Sequence, residues 1–183
     1  MVIQIRYLIA TFLMLLSLTF IQTAKAATAY ELNAEVKATL EKLYHEKPAA
    51  RELAKKAKGI LVFPTVIKGG FFIGGEFGEG TLLINNKVAD YYNTASASIG
   101  LQAGAQARSQ VILFMTSDAL KKFRNSEGWE AGVDGSVAIA EFGTGGAIDS
   151  QTAQEPIIGF ITDNKGLMYN LTLEGSKITK ISK

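Results

Sequence analysis

The chain has 183 residues, with 19 Lys and Arg side chains against 17 Asp and Glu, one histidine and no cysteine. The lack of cysteine excludes disulfides, thiolate metal sites, cysteine nucleophiles and a lipid-modified cysteine. A single histidine also excludes a histidine-cluster metal site, so the sequence predicts no bound metal and no cofactor.

Residues 1–26 have the pattern of a cleaved secretory signal. Arg6 is the only charge before an apolar run from Tyr7 to Ile21, and residues 24–26 (AKA) carry small side chains where signal peptidase requires them. The run has about 15 residues, fewer than the roughly 20 that cross a bilayer as a permanent helix. We therefore expect cleavage after Ala26, with an uncleaved anchor as the alternative.

The expected mature chain, residues 27–183, is long enough for a single domain with a substantial core. An exported domain without disulfides is typical of the bacterial periplasm, so we predict a periplasmic location. Removal of residues 1–26 takes away Arg6 and Lys25 and leaves 17 basic and 17 acidic side chains. A net charge near zero gives no support for nucleic-acid binding.

The charge is nevertheless distributed unevenly along the chain. Between residues 47 and 58 there are five basic side chains and one acidic side chain, Glu52. Between residues 125 and 164 there are seven acidic side chains and no Lys or Arg. We therefore expect one basic and one acidic region on the molecule.

The first elements of the mature chain are predicted to be two helices between Ala29 and Lys58. Apolar residues recur at three- and four-residue spacing in the first helix, and Pro48 suits the first turn of the second. A narrow stripe of Ala50, Leu53, Ala54 and Ala57 marks the buried face of the second helix, and Gly59 is expected to end it.

Short strands are predicted after Gly59. Residues 60–63 form a β-branched and aromatic run ended by Pro64, and residues 69–80 (GGFFIGGEFGEG) contain six glycines. Glycine costs about 1 kcal/mol relative to alanine in a helix, so this segment is predicted as bulged or closely packed strands. We expect valine at Gly74 or Gly75 to destabilise the fold. Asparagine tolerates the left-handed conformation, so Asn85-Asn86 predicts a hairpin turn.

The rest of the chain mixes strands with one helix. We predict a buried strand over 111–115, a helix capped by Ser117 that ends near Arg124, and a strand over 133–140 that alternates in polarity. A second hairpin is predicted from strands at 157–162 and 167–173, joined by a turn over 163–166. The expected fold class is α+β, with N-terminal helices packed on a glycine-rich, mainly antiparallel, curled β-sheet.

Several segments, in order, resemble the SYLF domain family. They are residues 57–64 (AKGILVFP), 68–71 (KGGF), 78–80 (GEG), 91–92 (YY), 98–104 (SIGLQAG) and 173–178 (LEGSKI). The resemblance extends over about residues 29–181 and is closest to the exported bacterial branch, often labelled lipid-binding SYLF proteins. It implies a non-enzymatic binding module that is lipid- or membrane-associated, with a phospholipid or another amphiphile as partner.

Eukaryotic members of the family bind phosphoinositides and, in some cases, actin filaments, usually beside an SH3 or FYVE module that this chain lacks. Their lipid binding is attributed largely to a basic amphipathic N-terminal helix. The corresponding segment here, residues 30–46, has four glutamates against two lysines. The basic residues that follow it, Arg51, Lys55 and Lys58, are spaced by four and three and should share one helix face. They are our candidates for binding a lipid headgroup, with an ordinary solvated helix face, or a contact with the acidic region within the fold, as the alternatives.

Two further interpretations of the site stay open. Five aromatic residues are candidates for lining an acyl-chain pocket, with core packing as the alternative: Phe71, Phe72, Phe77, Tyr91 and Tyr92. Glu76, Glu79 and Asp134 lie in glycine-rich segments where a pair of carboxylates would serve hydrolysis or calcium binding, with solvated carboxylates on a strand face as the favoured alternative.

Other catalytic interpretations are weaker. The glycine run lacks the Gly-Lys-Ser/Thr ending of a phosphate-binding loop. His45, the single histidine, lies on a helix that looks exposed, so a Ser-His-Asp triad is not expected. No catalytic residue is therefore predicted. The alternatives to a lipid-binding module are an envelope protein that contacts a protein partner or itself, and, more remotely, a carboxylate-dependent hydrolase.

Overall fold

The structure, a computed structural model, describes residues 27–70, 73–99, 104–140, 148–166, 173 and 175–183. In this part of the chain two helices precede a long curled sheet, and a third helix lies between its strands. The predicted α+β class, with N-terminal helices on a mainly antiparallel sheet, is confirmed. No helix among these residues combines the length and the apolar character needed to cross a membrane.

The N-terminal helices are α1 (Ala29–Glu46) and α2 (Pro48–Lys56). Thr28 and Glu31 form a capping box at the start of α1, in which each side chain accepts a hydrogen bond from the other residue's backbone N–H. Pro48 occupies the first turn of α2, as predicted, because its missing N–H is not needed there. Lys47 separates the two helices and serves as the cap of both.

Eight strands of the described chain form one sheet in the order β5-β8-β3-β2-β1-β4-β7-β6. All neighbouring strands are antiparallel except β6 and β7, which are parallel. The third helix, α3 (Ser117–Asn125), follows β4. The strands are β1 (Gly59–Gly70), β2 (Ile73–Ile84), β3 (Lys87–Ile99), β4 (Gly104–Phe114), β5 (Trp129–Glu130), β6 (Ala138–Ile139), β7 (Ile157–Gly166) and β8 (Lys177–Ile181).

The sheet has a hydrophobic cluster on each face. On one face α1 and α2 insert residues such as Leu32, Val36 and Leu53 against Ile60 and Val62 of β1. On the other face Phe123 of α3 packs on Tyr92, Phe114 and Trp129, with ring centroids 4.8, 4.7 and 5.7 Å apart. Strands β1 to β4 are long, so the helices cover only part of each face of the sheet.

The first hairpin is confirmed. Asn85 and Asn86 have φ values of 52° and 59° and connect β2 to β3, as a two-residue turn requires. The first arm of the second predicted hairpin is confirmed as strand, but the predicted turn is wrong, because β7 continues through residues 163–166 instead of turning there. Asp163 does have a positive φ of 57°, where the pairing of β7 with β4 shifts register. The predicted second arm of this hairpin, residues 167–173, lies almost wholly outside the described residues.

Three predicted boundaries are also wrong. β1 does not end at Pro64 but continues to Gly70 through an irregularity, since a bulge accommodates a residue without an N–H. The segment 133–140 begins with a turn and an isolated bridge at Gly135, and it is β strand only at Ala138–Ile139. Thr116, not Ser117, caps α3, and its hydroxyl accepts from the Ala119 N–H at 3.2 Å.

Gly59 does not terminate α2, which ends at Lys56. It begins β1, and a Cβ atom at this position would lie 2.7 Å from Leu120 Cδ1 of α3. The glycine therefore permits close packing of α3 on the sheet.

Candidate functional site

A cleft of about 500 Å³ lies where α2 meets the end of the sheet that carries the β2–β3 turn. We call it the α2 cleft. Its described lining contains three basic residues and no carboxylate. The lining residues are Tyr44, Arg51, Ala54, Lys55, Ala57, Lys58, Gly59, Ile60, Leu83, Asn85 and Asn86.

The helix α2 positions two of the three basic residues. Arg51 and Lys55 are four residues apart, one turn along the same side of the helix. The buried residues Ala50, Leu53 and Ala54 anchor the opposite side to the core. The basic side chains are therefore held at the surface by a helix whose orientation is fixed by packing.

Lys58 follows the end of α2 and is positioned by the sheet. Its backbone N–H donates to the carbonyl of Phe114 at 2.8 Å, which ties the α2–β1 connection to β4. The three headgroup candidates from the sequence thus line one cleft, together with the asparagines of the β2–β3 turn.

The charges in the α2 cleft are only partly compensated. Lys55 Nζ lies 2.7 Å from Glu52 Oε1, and this hydrogen bond holds the pKa of the exposed Glu52 carboxyl below its usual value. Arg51 Cζ lies 5.8 Å from the centroid of the Tyr44 ring, within cation–π distance. Burial raises the pKa of the Tyr44 hydroxyl, so this residue stays neutral at physiological pH. The cleft is suited to an anion.

The aromatic candidates do not meet in one cavity. Tyr91 and Tyr92 are consecutive in β3 and therefore point to opposite faces of the sheet. Tyr92 is buried against Phe123, and burial, with a contribution from Asp90, raises its pKa to about 12. Tyr91 packs at the margin of the cluster under α1, where its hydroxyl accepts from Asn33 Nδ2 at 3.0 Å.

Phe77 lies elsewhere, on a part of the sheet that the helices leave open. It is 53 % exposed and is the direct cross-strand neighbour of Ile67, which is 59 % exposed. Phe71 and Phe72 lie outside the described residues. Of the described aromatic candidates, Tyr91 and Tyr92 are therefore half-buried or buried, and Phe77 forms an exposed apolar pair with Ile67.

The three carboxylate candidates are separated, and each has a different partner. Glu76 is buried and accepts two hydrogen bonds from Arg108 Nη2, at 2.9 and 2.8 Å, and a third from Gln110 Nε2 at 2.9 Å. Glu79, on the opposite face of β2, pairs with Lys183 at 2.9 Å. Asp134 accepts from the Glu130 N–H in a turn, at 2.7 Å. This arrangement holds the chain together and does not form a carboxylate pair.

The described residues show no group of three or more potential metal ligands. His45 is exposed near the end of α1, as expected. The described part of the glycine run belongs to β1 and β2 and forms no loop at the start of a helix. None of these features resembles a cradle for a phosphate or a cofactor.

Sequence reasoning missed the residues that complete the α2 cleft. Tyr44, Leu83 and the turn Asn85-Asn86 come from α1, β2 and the β2–β3 connection, which only the tertiary fold brings to α2. The turn itself was recognisable from its asparagines, but nothing in the sequence indicated its proximity to Arg51.

A family model described as "Ysc84: Las17-binding protein actin regulator" matches residues 95–183. The matched part includes β4 to β8 and α3, whereas α1, α2 and all the lining residues of the α2 cleft precede it. No curated protein matches the chain.

Proposed function

We propose that the chain, whose sequence resembles the SYLF domain family and whose residues 95–183 match the family model, is a periplasmic, non-enzymatic binding module that holds the anionic headgroup of a phospholipid in the α2 cleft. The family supports a binding module in general terms. The lipid, the membrane association and the periplasmic location are our proposals.

One observation carries the headgroup assignment: Arg51, Lys55 and Lys58 line a single cleft whose described lining has no carboxylate. Lysine and arginine near an anionic surface each contribute about 1 kcal/mol to binding. Their alkyl stems also pack along apolar surface while the charged ends remain in water. Ala54, Ala57 and Ile60 supply such surface at the base of the cleft.

The structure favours α2 over α1 as the membrane-contacting helix. The apolar residues of α1, Leu32, Val36, Leu40 and Leu43, are buried against the sheet and are not available to lipid. The exposed side of α1 carries glutamates, two of which pair with Lys37 and Lys42 of the same helix. A surface of this kind does not attract anionic lipid.

Vesicle flotation tests the proposal directly. The mature protein should float with phosphatidylglycerol vesicles at low salt, and binding should weaken as the Debye length falls from about 10 Å at 0.1 M salt to about 3 Å at 1 M. Changing Arg51, Lys55 and Lys58 together to glutamine should weaken binding by roughly two orders of magnitude.

A charge-matched control separates the cleft from net charge. Lys37, Lys122 and Lys177 are exposed and do not line the α2 cleft, so their joint change to glutamine should weaken binding by less than about threefold. Equal loss of binding in both triple variants would show that the cleft has no special role. Failure of the wild type to float at low salt would end the headgroup proposal.

A further inference from the structure

A second cleft, of about 650 Å³, adjoins the α2 cleft on the other face of the sheet. We call it the α3 cleft. Its described lining contains six basic residues and no carboxylate. The lining residues are Lys55, Lys56, Ala57, Lys58, Ile84, Asn85, Ser117, Leu120, Lys121, Arg124, Asn125 and Lys180.

The two clefts are continuous around the end of the sheet. Lys55, Ala57, Lys58 and Asn85 line both of them, so the α2–β1 connection and the β2–β3 turn form a shared wall. The α2 cleft adds Arg51 on one side of this wall. The α3 cleft adds Lys56 and Lys121 on the other side, with Arg124 and Lys180.

The charge in the α3 cleft is far from balanced within the described chain. Asp90, nearly buried, pairs with both Arg124, at 3.0 Å, and Lys180. No described carboxylate lies within ion-pair distance of Lys56, Lys58 or Lys121. Like charges held so close together repel one another, and a bound anion relieves that repulsion.

Arg51 lines only the α2 cleft, whereas Lys56 and Lys121 line only the α3 cleft, so each cleft has basic residues of its own for a phosphate. We propose that the two clefts are two halves of one site and that its ligand is a lipid whose headgroup carries two phosphate groups, one in each cleft. This inference rests on the proposed function, since the α2 cleft is the headgroup site there. It adds the class of headgroup and the second half of the site.

The test compares two lipids at equal surface density of phosphate. Diphosphatidylglycerol has two phosphates on one headgroup, and phosphatidylglycerol, at twice the mole fraction, has the same number on separate headgroups. Flotation at low salt should show at least tenfold tighter binding to diphosphatidylglycerol vesicles, because one ligand then occupies both clefts.

A double variant of the α3 cleft isolates its contribution. Lys56 and Lys121 are exposed and lie outside the core clusters, so changing both to glutamine should leave the melting midpoint unchanged. The variant should lose roughly thirtyfold in binding to diphosphatidylglycerol. Its binding to phosphatidylglycerol should fall by a clearly smaller factor, because a headgroup with one phosphate still binds in the unchanged α2 cleft. Changing Lys37 and Lys122 to glutamine is the matched control and should preserve the difference between the two lipids.

The failures of the two proposals have different signatures. Equal binding of the wild type to both lipids would overturn the two-phosphate inference and leave the headgroup function in place. Loss of binding to both lipids in the Lys56 and Lys121 variant would also overturn it, because the clefts would then act as one diffuse patch. If the wild type binds neither lipid, the proposed function and this inference are overturned together.

Discussion

At the scale of single residues, the glycines of β2 have very different roles. A Cβ atom at Gly80 would overlap the carbonyl oxygen of Val62 and lie 2.5 Å from Phe63 Cδ1. Among the described residues, a Cβ atom at Gly75 would meet only the Ser96 carbonyl oxygen, at an ordinary 3.8 Å. The sequence directed attention to Gly74 and Gly75, but the structure indicates that Gly80 is constrained, as is Gly78, where a Cβ atom would lie 2.8 Å from the Thr65 carbonyl oxygen.

This difference has a tertiary cause. Gly80 lies opposite the irregular stretch of β1 around Pro64, where the register with β2 shifts. A glycine-rich sequence indicates that another part of the backbone approaches one of the strands closely. It does not show where the neighbouring strand bulges, so the particular glycine could not be predicted.

Replacing Gly80 with valine should therefore destabilise the protein. The new side chain would overlap backbone atoms that cannot rotate away, which costs about 3 kcal/mol and lowers the melting temperature by roughly 6–12 °C. Thermal unfolding followed by circular dichroism measures the effect, with Gly75→Ala as the control that should melt near the wild type. Matching midpoints for Gly80→Val and the wild type would contradict this account.

At the scale of elements, local chemistry predicted the helices and the first hairpin. Pro48 and the Asn85-Asn86 turn act through their own backbone preferences, which hold in any tertiary setting. The extent of β1 beyond Pro64 and of β7 beyond residue 162 depended on pairing with neighbouring strands. Register shifts and bulges in those pairs leave no clear local pattern, so the strand ends were predicted wrongly.

A buried ion pair links β2 and β4 across the intervening β1. Glu76 and Arg108 are 5 % and 2 % exposed, and the carboxylate also accepts from Gln110. Glu76 was considered from its sequence context only as a solvated or catalytic carboxylate. Its pairing with a residue 32 positions away was not visible in the sequence.

Arg108→Met should lower the free energy of unfolding by about 3–5 kcal/mol, because it leaves the Glu76 carboxylate buried and uncompensated. Adding Glu76→Gln should recover part of this loss, since the new amide oxygen still accepts from Gln110 without carrying charge. Urea unfolding of the single and double variants measures both effects. The exposed Lys37–Glu41 pair, at 3.8 Å, provides a control, and Lys37→Met should cost less than about 0.5 kcal/mol. A double variant less stable than Arg108→Met would contradict the charge argument.

At the scale of the whole molecule, the first residues of the expected mature chain make contacts with the rest of the domain. Lys183 donates to the carbonyl of Ala27 and to Glu79, which fastens the beginning of α1 to the last residue of the chain and to β2. The capping box at Thr28 follows directly.

We accordingly predict that the mature protein begins at Ala27. Protein isolated from the periplasmic fraction should give this residue on N-terminal sequencing, because residues 24–26 have the small side chains that signal peptidase requires. Ala26→Arg in the precursor should block processing and leave the longer chain. A periplasmic protein that starts at Met1 would contradict cleavage, and its absence from that fraction would contradict the location.

The basic residues of the α2 and α3 clefts show how much of the site could be predicted. The spacing of Arg51, Lys55 and Lys58 was enough to place them together, because all three come from one short segment. Lys121 and Lys180 reach the same end from α3 and β8, more than 60 residues further along the chain. Only the pairing of β8 with β3 and the packing of α3 on the sheet bring them there.

The most direct test of the central claim locates the bound headgroup. Backbone amide chemical shifts of the ¹⁵N-labelled mature protein should be followed during titration with dihexanoylphosphatidylglycerol, a short-chain soluble lipid. The account predicts the largest saturable shifts at residues 57–59 and at Asn85 and Asn86, with weaker binding at 1 M salt. Shifts centred instead on Ile67 and Phe77 and insensitive to salt, or no shifts at low salt, would contradict it.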